Sequence, residues 1–364
     1  MIVAGTWDDN GGKPSGYMGK LAERMDFHFF SPLQCYNGGN FEELEQIIED
    51  YDDDLLFWFP DVPNSKEKLV GKIKQMHPRT ILVTSKNNID GKYDFMQMTA
   101  HALRNKANLF VEFTKNAEGL IEASVYDPLG NSYCHKETDV DKVAKTLHER
   151  ICFLWSLTRI SSKSLGDEGE RIYSMSPNSL FSFIDFVKGY ADTFHELIHG
   201  SNPSRLMGNC SFRCTKGGFP SFRNNDMIYV SRRDIDKRDI APSGFVAVKP
   251  VTLRDVIKRE IKIEYYGDNK PSVDTPIQLA LYAIYPHINY MLHSHVYLRG
   301  APFTKRPIPC GAIEEVDEIL DVHPCSTVNG WSVNLKGHGS LVAVNSVHAL
   351  ENLPYVARQF PETQ

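Results

Sequence analysis

The chain has 364 residues, of which 41% are hydrophobic and 24% are charged, and its formal net charge at pH 7 is -6. This length predicts two domains. A negative net charge argues against a nucleic-acid partner. No apolar run approaches the roughly 18 to 20 residues that cross a bilayer, and the N-terminus lacks the pattern of a signal peptide. The seven cysteines form no CxxC pair, which favours a cytoplasmic protein with buried free thiols over a disulfide framework.

Short apolar runs and helical patterns alternate over the first part of the chain. This alternation predicts a doubly wound, mostly parallel sheet of the Rossmann or flavodoxin type. A turn is expected at 37–40 and a late hairpin over 121–131. The predicted strands are 1–7, 26–30, 55–59, 80–85 and 108–113, and the predicted helices are 18–25, 41–51, 64–76, 93–106 and 140–159.

A segment rich in Ser and Gly separates this pattern from a different one. We expect a first domain over 1–165, a linker over 166–177 and a second domain over 178–364. The second pattern predicts an α+β domain with a mainly antiparallel sheet. It consists of a helix over 181–199, β-like runs within 206–248, a helix over 276–285, a strand ending at His295, a helix over 314–320 and a hairpin over 331–344.

A Gly-rich turn, DDNGGKPSGY, lies between the first strand and the first helix. Backbone amides in such a turn bind phosphate at a helix N-terminus. Asn10, Gly11, Gly12 and Ser15 are therefore candidate ligand-binding residues. The turn matches neither GxGxxG nor a P-loop, so a tight turn without a ligand is the alternative.

Two histidines alternate in YMLHSHV, where His293 and His295 are expected to face the same side of one strand. A third, His338, is flanked by Gly337 and Gly339, which permit close approach of the backbone. Three neutral imidazoles form a ligand set for Zn²⁺ or another divalent ion such as Mn²⁺ or Co²⁺. Histidines packed without a metal are the alternative interpretation.

The sequence HELIH also matches a metal-binding pattern, the HExxH motif of zinc metalloproteases. On a helix, His195 and His199 would share one face with Glu196 beside them. No convincing third ligand follows, so an ordinary structural helix is the favoured interpretation.

Five motifs occur in the order typical of the class II aldolase/adducin family, and residues from about 180 to 350 resemble it. The resemblance implies a class II aldolase-like α+β domain for the C-terminal half. The motifs are GNCSFR at 208–213, MIYVSRRDIDKRDIAPSGFVAV at 227–248, PSVDTP at 271–276, LHSH at 292–295 and GHG at 337–339.

The resemblance also implies residue roles. The three histidines would bind a catalytic divalent metal, usually zinc, which would stabilise an enediolate. Asp274 stands where fuculose-phosphate aldolases have a glutamate and ribulose-phosphate 4-epimerases an aspartate. It would complete the metal shell or shuttle the substrate proton. Asn209 and Ser272 would hydrogen-bond a substrate phosphate.

The sequence departs from the family pattern at the phosphate site. The second serine of the PSS motif is Val273, and the turn glycine is replaced, by our reading, by Arg233 in the sequence SRR. Ser231, Arg232 and Arg233 would then bind the phosphate through side chains. Loss of the phosphate site is the alternative. The stretch between His295 and His338 is short for the family, and no second catalytic acid could be named.

The sequence therefore predicts a metal-dependent lyase (aldolase) or epimerase that acts on a small, phosphorylated, sugar-like hydroxy-carbonyl compound. A non-catalytic, adducin-like binding or assembly domain is the first alternative, and the HExxH metalloprotease is the second. The family resemblance implies a homo-oligomer, which in the family is commonly a tetramer, and neither a membrane nor a nucleic acid is expected as a partner.

Overall fold

The computed structural model describes residues 1–29, 33–51, 56–59, 67–166, 177–197, 208–213, 227–324 and 330–363. The chain divides into two compact units. The first contains Met1–Ser156 and Phe360–Gln364, and the second contains Leu157–Gln359. The division expected from the sequence differs at both ends of the second unit, because strands there pair across long sequence separations.

The first unit contains an eight-stranded mixed sheet with helices α1 (Gly16–Asp26), α2 (Phe41–Asp50), α3 (Glu67–Met76), α4 (Phe95–Arg104) and α5 (Val140–Ser156). Its strands are β1 (Ile2–Asp8), β2 (Cys35–Asn40), β3 (Leu56–Phe59), β4 (Ile81–Asn87), β5 (Leu109–Lys115), β6 (Ile121–Tyr126), β7 (Asn131–Glu137) and, from the end of the chain, β18 (Glu362–Thr363). Their order in the sheet is β18-β7-β6-β5-β4-β3-β1-β2. Strands β1 to β5 pair in parallel, whereas β5, β6 and β7 pair antiparallel.

Alternation along the strands sends apolar side chains to both faces of this sheet. In β1, Ile2 packs with α1 and α5 on one face, whereas Val3 packs with α2 and α3 on the other. The predicted α/β layering is therefore present. The finer assignment to the Rossmann or flavodoxin type remains a prediction.

Two local predictions in the first unit were wrong. Residues 26–29 are not a strand, because α1 continues to Asp26 and a turn follows it, whereas residue 30 lies outside the described residues. The expected turn at 37–40 is instead part of β2, which pairs in parallel with β1. A β carbon at Gly38 would lie 2.5 Å from the carbonyl carbon of Lys13, so the glycine is needed for close packing of a strand rather than for a turn.

The second unit contains another eight-stranded sheet with helices α6 (Pro177–Leu197), α7 (Leu253–Ile257), α8 (Thr275–Ile284) and α9 (Glu315–Val322). Its strands are β8 (Ser161–Ser164), β9 (Asn209–Arg213), β10 (Ile228–Ser231), β11 (Phe245–Val248), β12 (Lys262–Tyr265), β13 (Tyr290–Ser294), β15 (Gly330–Leu335) and β16 (Gly339–Val344), and a separate pair is formed by β14 (Tyr297–Leu298) and β17 (Tyr355–Val356). The order is β15-β16-β13-β9-β10-β11-β12-β8. Among the described residues, each neighbouring pair in this sheet is antiparallel except β12 with β8.

Helices α8 and α9 cover one face of this second sheet, and α6 covers the other. Met291 of β13 packs on the side of α8 and α9, whereas Leu292 packs on the side of α6. The same alternation places His293 on the side of α8 and α9. The fold thus brings the end of β13 next to the start of those two helices.

Residues Ser161–Ser164, which we expected at the end of the first domain, form β8 of the second unit. This strand pairs in parallel with β12, and all four of its residues are exposed. Most of the predicted linker, 167–176, lies outside the described residues. Among the helices that the structure describes, none has the length and apolar content to cross a membrane.

The cysteines match the expectation of buried thiols only in part. Cys210 is fully buried, and burial raises the pKa of its thiol to about 12. Cys35 and Cys152 are exposed, so the expectation was wrong for these two.

Candidate metal centre

Three histidines of the second unit lie together at the end of β13. His293 is in β13, His295 follows it directly, and His338 is in the turn that joins β15 to β16. The ring centroids of His293 and His338 are 4.6 Å apart, and that of His295 lies 5.1 Å from His293 and 5.3 Å from His338. One ligand atom from each ring falls within 4.8 Å of the other two.

The GHG sequence allows this convergence. Gly339 has φ +150, and a β carbon there would lie 1.9 Å from the carbonyl oxygen of Ser294. Strand β16 can therefore approach the end of β13 closely only because residue 339 has no side chain. The close approach that the sequence predicted for the glycines around His338 is present at Gly339.

The donor atoms of the three rings fit a divalent metal ion. His293 donates from Nδ1 to the carbonyl oxygen of Ser340 at 2.9 Å, which leaves the lone pair on its Nε2. Among the described residues, neither this Nε2 nor the Nδ1 of His295 or His338 has a hydrogen-bond partner, although all three atoms are buried. Burial lowers the pKa of each imidazole, so the rings are neutral at pH 7 and can act as metal ligands.

Asp274 places a carboxylate beside this cluster. It directly precedes α8, and its Oδ2 lies 3.8 Å from Nε2 of His293. The same oxygen accepts a hydrogen bond from Asn209 at 2.8 Å, while Oδ1 accepts one from the backbone N–H of Gly311 at 2.7 Å. Asn209 is held in turn by a hydrogen bond from Gln278. The carboxylate is therefore fixed in position by two donors.

Two further side chains complete the surroundings of His338, and the sequence analysis missed both. Glu315 is fully buried, with Oε2 at 3.6 Å from Nδ1 of His338. Burial, and next the charge of Asp274, raise the pKa of this carboxyl well above its usual range. Cys310 has its sulfur 3.2 Å from Nε2 of His338.

A signal for Glu315 was present in the sequence. It lies four residues before Ile319, and both residues are buried in α9. This helical spacing places residue 315 on the apolar face, where a carboxyl group is unusual and indicates a special environment.

The sequence comparisons concern the same part of the chain. Residues 190–327 match the family model described as "Class II Aldolase and Adducin N-terminal domain". This segment is therefore similar to the class II aldolase/adducin family. The match includes Asp274, His293 and His295, and the resemblance seen in the sequence motifs is confirmed for this segment.

A solved structure from Thermoplasma acidophilum, titled as the N-terminal class II aldolase domain of a conserved protein, is 14% identical to this chain. The alignment covers 46% of this chain and 84% of that chain, with a TM-score of 0.26. No curated protein matches the sequence.

Several of the predicted phosphate-binding residues of the second unit use their polar groups in hydrogen bonds within the protein. Ser231 is buried, and its hydroxyl accepts a hydrogen bond from the backbone N–H of Cys210 at 3.3 Å. Ser272 donates its backbone N–H to the carbonyl oxygen of Ser231. The side chains of Arg232 and Arg233 are exposed, and their backbone amides donate to protein carbonyls. Of these four residues, Arg232 and Arg233 are exposed, so an anion could reach their side chains.

The turn after β10 contains a left-handed residue, Asp234, with φ 59. Aspartate tolerates this conformation better than most residues because its side chain can bond locally. That Arg233 stands at the position of the family's glycine remains a prediction.

The Gly-rich turn of the first unit uses its amides internally. Gly12 donates to the carbonyl oxygen of Gly39 at 2.8 Å, and Asn10 donates to the carboxylate of Asp8 at 2.8 Å. Gly11 donates to the carbonyl oxygen of Asp8, and the amide of Ser15 donates to the side chain of Asn37. These bonds favour the alternative of a tight turn over a phosphate site.

The HELIH motif does not join the metal centre. His195 and Glu196 are exposed near the end of α6, and His199 lies outside the described residues. Among the residues that the structure describes, no group with metal-ligand spacing includes either of the first two.

Proposed function

We propose that the second unit is a divalent-metal-dependent lyase or epimerase that acts on a small, phosphorylated hydroxy-carbonyl compound. The observation that carries the proposal is the convergence of three buried imidazole rings, in which Nε2 of His293 and Nδ1 of His295 have no hydrogen-bond partner. Leaving these polar atoms buried without a partner costs about 1–3 kcal/mol each, which a bound cation would recover. The family match of residues 190–327 supports the same function.

His293, His295 and His338 would hold the metal, with Asp274 beside them. A bound divalent ion would supply Lewis-acid polarisation of a substrate carbonyl or hydroxyl oxygen. The hydrogen bond from His293 Nδ1 to Ser340 fixes the ring and its tautomer, so that Nε2 keeps its lone pair. Burial keeps the three rings neutral and excludes bulk water from them.

Asp274 is the residue that we propose to move the substrate proton. Its two oxygens each accept one hydrogen bond, from Asn209 and from Gly311, and each retains a further lone pair. Because these donors orient the carboxylate, it can accept a proton without changing its position. Asn209 is a positioning residue in this scheme.

The substrate phosphate would be bound by Arg232 and Arg233 through their side chains. Ser272 is half-buried beside Asp274 in the chain and would contribute its hydroxyl. Phosphate binding is tested separately by comparing KM for a phosphorylated substrate with KM for its unphosphorylated counterpart. If the arginines bind the phosphate, an Arg232→Ala/Arg233→Ala protein raises KM for the phosphorylated compound alone.

One observation favours the second candidate function, a non-catalytic binding domain of the adducin type. The amides of Arg232 and Arg233 donate to the carbonyl oxygens of Gly244 and Lys270 and so are closed to a phosphate. A protein that binds metal but cleaves or epimerises none of a panel of sugar phosphates would support this candidate.

Elemental analysis tests the metal centre directly. Wild-type protein, a His293→Ala/His295→Ala variant and a His195→Ala variant would be purified, loaded with zinc and freed of unbound metal. We expect the double variant to lose the zinc and His195→Ala, the matched control, to keep it. Unchanged zinc in the double variant would refute the proposal, and loss only in His195→Ala would favour the metalloprotease. A sugar-phosphate screen for retro-aldol products or epimers would follow.

The first unit has no proposed ligand. Its parallel strands follow the order 2-1-3-4-5, which is that of flavodoxin-like sheets. We therefore propose the flavodoxin-like fold for this unit. For the domain organisation, we propose two domains that correspond to the two units, the first of which includes the end of the chain. The expected homo-oligomer is likewise a proposal, which sedimentation of the full chain would test.

A further inference from the structure

The loop before α9 places a cysteine against the histidine cluster. The backbone N–H of Gly311 donates to Oδ1 of Asp274 at 2.7 Å, which fixes the neighbouring Cys310 relative to that carboxylate. A β carbon at Gly311 would lie 2.7 Å from the carbonyl oxygen of Val273, so the loop packs directly on the chain that precedes Asp274. The contacts of Gly311 with Asp274 and Val273 therefore fix the position of Cys310.

The distances around Cys310 match those between ligands of one metal ion. Its sulfur lies 3.2 Å from Nε2 of His338. One ligand atom each from Asp274, Cys310 and His338 lies within 4.8 Å of the other two. In a tetrahedral site with Zn–N about 2.0–2.1 Å and Zn–S about 2.3 Å, a nitrogen and a sulfur ligand are about 3.5 Å apart. His338 belongs both to this group and to the three-histidine group.

We infer that the sulfur of Cys310 is a ligand of the metal ion bound at Nε2 of His338, so that the centre combines sulfur and nitrogen ligands. This inference rests on the proposed function, because it requires that the histidine cluster binds metal. When the metal–sulfur contact forms, the S–H bond breaks, the electron pair stays on sulfur and the proton leaves to solvent. No oxidant or reductant takes part.

The sulfur ligand has a consequence for metal choice. Thiolate favours Zn²⁺ and Co²⁺ over Mg²⁺ and Mn²⁺, which prefer oxygen ligands. A second consequence concerns reactivity: a sulfur bound to metal is a poorer nucleophile towards alkylating reagents than the same sulfur in the metal-free protein.

Cobalt substitution tests the inference with a readout that does not depend on activity. The full chain would be loaded with Co²⁺ and its absorption recorded. We expect a near-ultraviolet sulfur-to-cobalt charge-transfer band together with visible cobalt bands. Cys310→Ser should lose the near-ultraviolet band and keep visible absorption. Cys152→Ser, an exposed cysteine of the first unit, is the matched control and should keep both.

Each outcome has a distinct meaning. Visible cobalt bands without the charge-transfer band in the wild type would overturn the sulfur ligand and leave the histidine centre intact. A charge-transfer band that persists in Cys310→Ser would overturn it as well. Failure of the wild type to bind Co²⁺, or undiminished binding by the His293→Ala/His295→Ala variant, would refute the proposed function itself.

Alkylation of the wild type gives a second measurement that needs no variant. Peptide mass spectrometry would follow carbamidomethylation of Cys310 with and without Zn²⁺. We expect Zn²⁺ to slow this reaction about tenfold or more. The exposed Cys35 and Cys152 are internal references whose rates should not change. An equal rate at Cys310 in both states would contradict the inference.

Discussion

The close contact at Gly339 allows one substitution to be worked through quantitatively. In Gly339→Ala, the new β carbon would lie 1.9 Å from the Ser294 oxygen and 2.7 Å from the Cα of His295, both of which are backbone atoms that cannot rotate away. The chain must therefore separate β16 from the end of β13. Overpacking of this kind costs about 1–3 kcal/mol. The φ of +150 adds about 1–3 kcal/mol for a residue other than glycine.

The sum predicts that Gly339→Ala lowers the free energy of unfolding by about 2–6 kcal/mol. For a unit of this size, each kcal/mol corresponds to a fall in Tm of about 2–4 °C. Thermal unfolding followed by circular dichroism measures the shift. Because His295 is displaced, we also expect weaker Co²⁺ binding, measured by titration of the visible bands.

Gly300→Ala is the matched control in the same unit. Gly300 has φ +82, and a β carbon there meets no atom within 4 Å, so only the backbone cost applies. Gly339→Ala should therefore be less stable than Gly300→Ala by about 1–3 kcal/mol, and only Gly339→Ala should bind Co²⁺ more weakly. Equal shifts in Tm for the two variants would refute the steric argument.

Three other outcomes follow from buried groups. Burial lowers the pKa of Lys74 from 10.5 to about 8, so the charged side chain lowers the free energy of unfolding fully at pH values below 8. Lys74→Met should therefore raise the free energy of unfolding by about 1–2 kcal/mol at pH 7, as measured by urea titration. This gain should disappear as the pH rises from 8 to 10.5. A gain that grew with pH would contradict this. In the native protein at pH 8, Cys210 should resist iodoacetamide while Cys35 reacts, as judged by peptide mass spectrometry; equal labelling would show that Cys210 is accessible. Asn334→Leu should lower the free energy of unfolding in urea by about 3 kcal/mol or more, because the buried Asn334 amide makes three hydrogen bonds to the backbone of Leu298 and Ala301. A decrease below about 1 kcal/mol would mean that water replaces these bonds.

The sequence predicts elements well where the signal is local. The short apolar run of β1 and the apolar spacing of α1 are both properties of neighbouring residues, and both elements lie close to where they were expected. The histidines of the site were found in the same way, because His293 and His295 are two residues apart on one strand. His338, the third histidine, was predicted from the two glycines that flank it, Gly337 and Gly339.

The parts that were missed depend on contacts between distant residues. The exposed, polar β8 is a strand only because it pairs with β12, about a hundred residues later. Glu315 and Cys310 reach His338 through the packing of α9 and its preceding loop. The helical spacing of α9 indicates only that Glu315 is buried, and no local pattern places either residue beside His338.

The pairing of β18 with β7 has a consequence for biosynthesis. The chain leaves the first unit at Ser156 and returns to it at Phe360, so the whole second unit is an insertion within the first. A ribosome that adds about 5–20 residues per second delivers the last strand roughly 10–40 s after α5. During that interval the outer edge of β7 has no partner, and an unpaired strand edge is a template for association with other chains. Nascent chains stalled between the two crossings should therefore aggregate more readily than released ones.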